Sequence, residues 1–133
     1  MNISNNMYYR LNAVYNLLKY TYGLILIIVG SDKFLNMVTF WQKYISPFAS
    51  EVLPVEQNTF LMLFGAAEIL TGLLILSKYT RIGCYITIGV LAIIIINLLS
   101  MGMYYDIATR DLLIAIGIYA LAEIDVIVKN IQK

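Results

Sequence analysis

One carboxylate in this chain stands where carboxylates are costly. Glu68 lies about nine residues into an apolar stretch, roughly 13 Å along a helix axis. Ionisable groups at that depth normally face protein rather than acyl chains. Its neighbours at three- and four-residue steps are Phe64, Gly65, Thr71 and Gly72, and small residues there let a backbone or a ligand come close. An isolated charge in such surroundings is too expensive, so Glu68 must be protonated or paired. Groups able to meet it flank the other apolar stretches. Asp32 and Lys33 end the first, Asn97 lies late in the third, and Arg110 and Asp111 open the fourth, with Tyr104 shortly before. Lys33 and Arg110 carry long stems that reach inward or outward, and Asp111 suits a helix N-terminus. The candidate polar cluster is therefore Asp32, Lys33, Glu68, Asn97, Tyr104, Arg110 and Asp111, with no metal and no catalytic residue assigned.

Three kinds of chemistry fit such a cluster. It can orient the polar end of a small apolar molecule such as a quinone, whose slot needs only one or two polar groups. A midplane acid can also exchange protons as a solute moves. Finally, the same groups can be interhelical hydrogen-bond glue, worth about 0.6–2 kcal/mol each. Other chemistries are excluded by composition. There is no His and a single Cys, Cys84, so no set of ligands exists for zinc, haem iron or an iron–sulfur centre. Nor is there a flavin or nicotinamide fingerprint, which argues against independent catalysis and against a covalently held cofactor. Nine basic residues nearly cancel eight acidic ones, leaving no basic patch for nucleic acid.

The elements that must position these groups are helices in a bilayer. Of the 133 residues, 61% are hydrophobic and 13% charged. The first share is well above that of a soluble domain and the second about half of it. A domain this small cannot bury so much apolar surface. Four stretches approach the roughly 20 apolar residues needed to span at about 11–30, 59–76, 82–99 and 111–128. The β-branched run Ile93–Ile96 lacks the alternation of a barrel strand and sits inside a longer apolar segment. The first stretch lacks an A-x-A cleavage site, and Tyr15, Lys19, Tyr20 and Tyr22 suit a retained, interface-anchored helix. The fold expected is a single domain over 1–133, an all-α integral membrane protein forming a four-transmembrane-helix bundle. Arg10, Lys19, Lys78, Arg81, Lys129 and Lys133 fall on one side, and Lys33, Lys43 and Arg110 on the other. The positive-inside rule then puts both termini in the cytoplasm.

Between the first two spans, Phe34, Met37, Val38, Trp41, Tyr44, Ile45 and Phe48 recur at helical steps, with Asn36, Thr39, Gln42, Lys43 and Ser46 opposite. This predicts an amphipathic interfacial helix of roughly 11–14 residues, with Trp41 as headgroup anchor or the whole as a lid over a cavity. Glu123 and Asp125, near a span end, are expected to be solvated. Cys84 is expected to pack as a small apolar residue, and Tyr104 and Tyr105 to join an interfacial belt or line the outer mouth of the bundle.

Three segments carry a family resemblance. Gly30-Ser-Asp-Lys-Phe34 resembles the G-x-x-K-F signature of DoxX-like membrane proteins. Gly65-Ala-Ala-Glu-Ile-Leu-Thr-Gly-Leu-Leu-Ile75 resembles their G-x-x-E-I-x-x-G-L-L span, and Tyr104-Tyr-Asp-Ile-Ala-Thr-Arg-Asp-Leu112 their Y-Y-D-I-A-x-R-D-L element. The resemblance covers roughly Gly23 to Leu121. It implies a four-helix protein of the bacterial cytoplasmic (inner) membrane, with Lys33, Glu68, Arg110 and Asp111 as shared polar positions. Some relatives are named as membrane subunits of thiosulfate:quinone oxidoreductase, others as redox-associated proteins. The thiol-rich branch carries a Cys pair, and this chain has Cys84 alone, which argues against dithiol exchange. The function expected is thus a redox- or quinone-associated, non-autonomous subunit, with quinone or lipid as ligand. Its expected partners are the bilayer, other membrane-complex subunits or further copies of itself. A proton-coupled solute binder or transporter and a structural assembly subunit are the competing functions.

Overall fold

The computed structural model describes residues 5–52 and 54–132. It is all-helical, with no strand among the described residues: α1 Asn5–Leu35, α2 Pro47–Val52, α3 Gln57–Leu76, α4 Thr80–Ser100 and α5 Tyr105–Ile131. A 3₁₀ turn, Trp41–Tyr44, precedes α2. Among the described residues three helices, α1, α3 and α4, are long and apolar enough to cross a membrane. The remaining long helix, α5, has the length, but its central stretch includes Asp111, Glu123 and Asp125.

Two glycine pairs join α1 to α3. Gly30 faces Gly65 and Gly23 faces Gly72, so the helices run antiparallel with contacts two turns apart. A Cβ on Gly30 would lie 2.6 Å from the carbonyl oxygen of Gly65, and one on Gly72 2.7 Å from that of Gly23. The backbones touch because no side chain separates them. The tight turn after α3 returns α4 antiparallel, with Gly83 against Ile75, and Thr80 Oγ1 donates to the carbonyl oxygens of Ile75 at 2.9 Å and Ser77 at 3.1 Å. Helix α5 runs back along α4 and α1.

The polar links between the α1/α3 pair and the α4/α5 pair gather at one end, here the turn end, which holds the α3–α4 turn, the start of α1 and the close of α5. There Tyr15 Oη donates to Asp125 Oδ1 at 2.7 Å, and Lys129 Nζ donates to Asp125 Oδ2 at 2.8 Å and to the carbonyl of Lys78 at 3.0 Å. Farther along, the Tyr22 hydroxyl lies over Gly117, occupying the space a Cβ would need. The expectation that Asp125 is solvated is thus corrected: it is 1% exposed. Its position continues the buried α5 face Asp111, Ile118, Ala122 by one further turn, where two donors replace the water it gives up. Tyr15, expected at the interface, is likewise buried by this contact. Glu123 is part-exposed and accepts from Tyr85 Oη at 3.2 Å. Cys84 is fully buried in the core beside Ile75, Leu121 and Ala122.

No continuous amphipathic helix follows α1. Asn36 takes a left-handed conformation (φ 50°), and Asp32 captures the chain beyond it. Asp32 Oδ1 accepts the backbone N–H groups of Met37 and Val38, each at 2.9 Å, and Oδ2 accepts Trp41 Nε1 at 2.7 Å. Those bonds hold residues 36–41 in a turn that a helix could not make. Met37 and Val38, placed on the expected buried face, are 80% and 81% exposed. After the 3₁₀ turn, α-helix resumes only at α2, where Pro47 occupies the first position and Ser46 Oγ accepts the Ala49 N–H at 3.0 Å, both ordinary helix-start devices.

Candidate functional site

At the other end, the loop end, a partly open cavity of about 560 Å³ lies between the two helix pairs. Its walls are Leu26, Val29, Phe64, Leu91, Ile114 and other apolar side chains of all four long helices, and the 38–45 connection covers it with Trp41, Tyr44 and Ile45. From Tyr22 to Lys33 on α1 the lining extends about 16 Å along the helix axis. The space is therefore long, narrow in chemistry and polar at one end.

The polar end is built by the sequence-predicted residues. Lys33 Nζ donates to Glu68 Oε2 at 2.6 Å, with both side chains buried to about the same degree, 5% and 6% exposed. The Gly30–Gly65 contact brings this about: it packs the Glu68 Cβ against Gly30 and the Lys33 Cβ against Gly65, and the long lysine stem spans the offset between them. The Trp41 ring lies over the ammonium, 4.0 Å from Nζ to the ring centroid, a cation–π arrangement that helps hold a desolvated charge. Lys33 has three donors and Glu68 two acceptor oxygens, so one hydrogen bond between them leaves capacity on each for a third molecule.

Asp111 also lines the cavity, buried, and its neighbour Arg110 binds Oδ1 through Nε at 3.1 Å and Nη2 at 3.0 Å. The arginine side chain itself is 61% exposed, so it reaches from the carboxylate to the rim.

Two members serve the cover. Asn97 Nδ2 donates to the Tyr44 carbonyl at 2.6 Å, and its Oδ1 accepts the Ser46 N–H at 3.0 Å. Asp32, on α1, holds Trp41 and the turn before it. The connection is thus strapped to both helix pairs, to α1 by Asp32 and to α4 by Asn97. Tyr104 is not part of the wall. It begins α5 in a left-handed conformation (φ 59°), and its ring packs edge-on against Tyr44 with centroids 5.0 Å apart.

Sequence reading brought Lys33, Glu68, Asn97, Arg110, Asp111 and Asp32 to one place, and the structure groups all six around this cavity. The lid reading had Trp41 and Tyr44 over a cavity, as they are found, but not the contacts of Trp41 with Asp32 and Lys33. Trp41 is not a headgroup anchor here, because its indole N–H is spent on Asp32 and its face on Lys33. The available signal was an aromatic residue eight positions after the lysine, across a turn that Asn36 makes feasible. Among the described residues no group of His, Cys, Asp or Glu could hold a metal ion. A scan against protein-family models matched none, and searches of the curated proteins and of the solved structures returned no match.

Proposed function

We propose that this chain is a DoxX-like integral membrane protein of the bacterial inner membrane. In this reading it is a four-transmembrane-helix bundle and a non-autonomous subunit that holds a quinone-like apolar molecule in the loop-end cavity. The observation that carries the reading is the cavity itself: an elongated apolar space ending on the buried Lys33–Glu68 pair, Arg110 and Asp111. Ligand sites of this size are mostly apolar with a few converging polar groups. A ring carbonyl would accept from Lys33 or Arg110, a ring hydroxyl would donate to Glu68 or Asp111, and the tail would follow the apolar walls. Electrons would come from a partner subunit, since the chain offers nothing that carries them.

The bilayer reading rests on the outer faces of the helices. Leu17 on α1, Leu70 on α3, Ile96 on α4 and Leu113 and Ile116 on α5 are all more than half exposed, a surface too apolar for water. On α5 the acids Asp111 and Asp125 turn inward while these residues turn outward, which supports α5 as the fourth span. Among the described residues the turn end carries Arg10, Lys19, Lys78, Arg81 and Lys129, and the loop end Lys33, Lys43 and Arg110. That excess supports a cytoplasmic turn end, with both termini, and a cavity opening toward the outer leaflet.

The test is extraction and mass spectrometry of small molecules from protein purified in mild detergent. The wild type should retain an elongated molecule with one polar end at close to one per chain. Ile114→Phe, which fills the cavity from its wall, should lose it. Recovery of bulk lipid alone, in equal amounts from both proteins, would refute the reading.

A further inference from the structure

The turn end holds a second recess, of about 280 Å³, between the start of α4 and the last turns of α5. Lys78, Arg81 and Lys129 line it together with the apolar Ile82 and Val126. Asp125 is the acid in its wall among the described residues, and it is already bound by Tyr15 and Lys129. Lys78 and Arg81 are exposed and form no ion pair among the described residues. Each is backed by an aromatic ring instead, Lys78 by Tyr79 with Nζ 5.2 Å from the centroid and Arg81 by Tyr85 with Cζ at 5.7 Å. The nearby acid Glu123 accepts from the Tyr85 hydroxyl and pairs with neither Lys78 nor Arg81 among the described residues. No side chain caps the first turn of α4, so its positive end opens beside the same cations. From the recess, exposed Ile82, Tyr85 and Ile86 lead along α4.

We propose that this recess binds a phosphate-ester anion, held by Lys78, Arg81 and Lys129. The negative charge would balance Lys78 and Arg81, which form no ion pair among the described residues, while Lys129, bound to Asp125, adds a further donor, and Arg81 has the fork that suits a phosphate's oxygens. A membrane phospholipid headgroup and a free phosphate share this chemistry. In the lipid case the acyl chains run along Ile82 and Ile86, as basic pockets between spans hold anionic headgroups. The site is at the opposite end from the cavity and is independent of what the cavity holds.

Native mass spectrometry of the full chain in a neutral detergent tests it, with dioleoyl phosphatidylglycerol, dioleoyl phosphatidylcholine and inorganic phosphate as probes. Wild type should retain one phosphatidylglycerol in preference to phosphatidylcholine. The double variant Lys78→Gln/Arg81→Gln should bind it on the order of thirtyfold more weakly, and Lys43→Gln, at the other end, should bind it like wild type. Inorganic phosphate that binds alone and displaces the lipid would support the site and identify a soluble anion as its occupant. Equal retention of the two lipids, undiminished binding by the double variant, or no binding of any probe would overturn the proposal. Should the double variant unfold, raised ionic strength serves instead: wild-type binding must then fall with salt as exposed charges are screened.

Discussion

Lys33 and Glu68 are each unaffordable without the other at their depth, and together they form the polar end of the cavity. Removing one partner of a buried pair leaves an uncompensated charge and costs about 3–5 kcal/mol, whereas replacing both by apolar residues is close to neutral. Glu68→Leu should therefore lower the unfolding free energy in detergent by that amount. Lys33→Met/Glu68→Leu should return to within about 1 kcal/mol of wild type, yet retain no cavity ligand. A double variant that recovers both stability and ligand would reduce the pair to interhelical glue. The partnership was legible in part: depth leaves Glu68 either protonated or paired, and the long stem of Lys33 was one of the partners within reach. Asp125 was misread by the same logic. Position near a span end suggests solvent, but the direction of its side chain decides, and that follows from the face shared with Asp111, Ile118 and Ala122.

Among the elements, the glycine contacts between α1 and α3 fix the height at which Lys33 meets Glu68. Gly65→Ala would put a Cβ 2.7 Å from the Gly30 carbonyl oxygen and 2.9 Å from Phe34. Overpacking of this kind costs about 1–3 kcal/mol, and a lowered unfolding midpoint should report it. Gly89→Ala meets nothing within 4 Å and should be neutral or stabilising by up to about 1 kcal/mol, the helix propensity gained. Gly65 and Gly72 were visible as small neighbours of Glu68; their partners Gly30 and Gly23 required the register between helices, which one sequence does not state. The connection after α1 was misread for a related reason. Its apolar period is helical, but Asp32 outcompetes it by capturing three donors from Met37, Val38 and Trp41. Asn97 is the strap at the far side. Asn97→Ala should free the Tyr44–Ser46 segment and raise its rate of limited proteolysis several-fold, with the helices unchanged by circular dichroism. Unaltered cleavage would mean that the connection is held by packing alone.

At the scale of the whole molecule, closure at one end and a cavity at the other follow from where the polar ties lie. Tyr15, Asp125 and Lys129 draw the helix pairs together at the turn end, and the connection bridges them at the loop end. The excess of basic residues at the turn end is what supports the orientation proposed above. In a Cys84→Ala background, Val38→Cys should react with a membrane-impermeant maleimide added to intact cells with the outer membrane opened, and Asn130→Cys only after lysis. The reverse pattern would turn the cavity toward the cytoplasm. The most direct measurement uses Trp41, the sole tryptophan of the chain and part of the cavity cover. A short-chain benzoquinone titrated into the purified protein should quench its fluorescence saturably. In Ile114→Phe and in Lys33→Met/Glu68→Leu the quenching should weaken at least tenfold. Quenching that stays linear with concentration and is the same in all three proteins would contradict a ligand beneath Trp41.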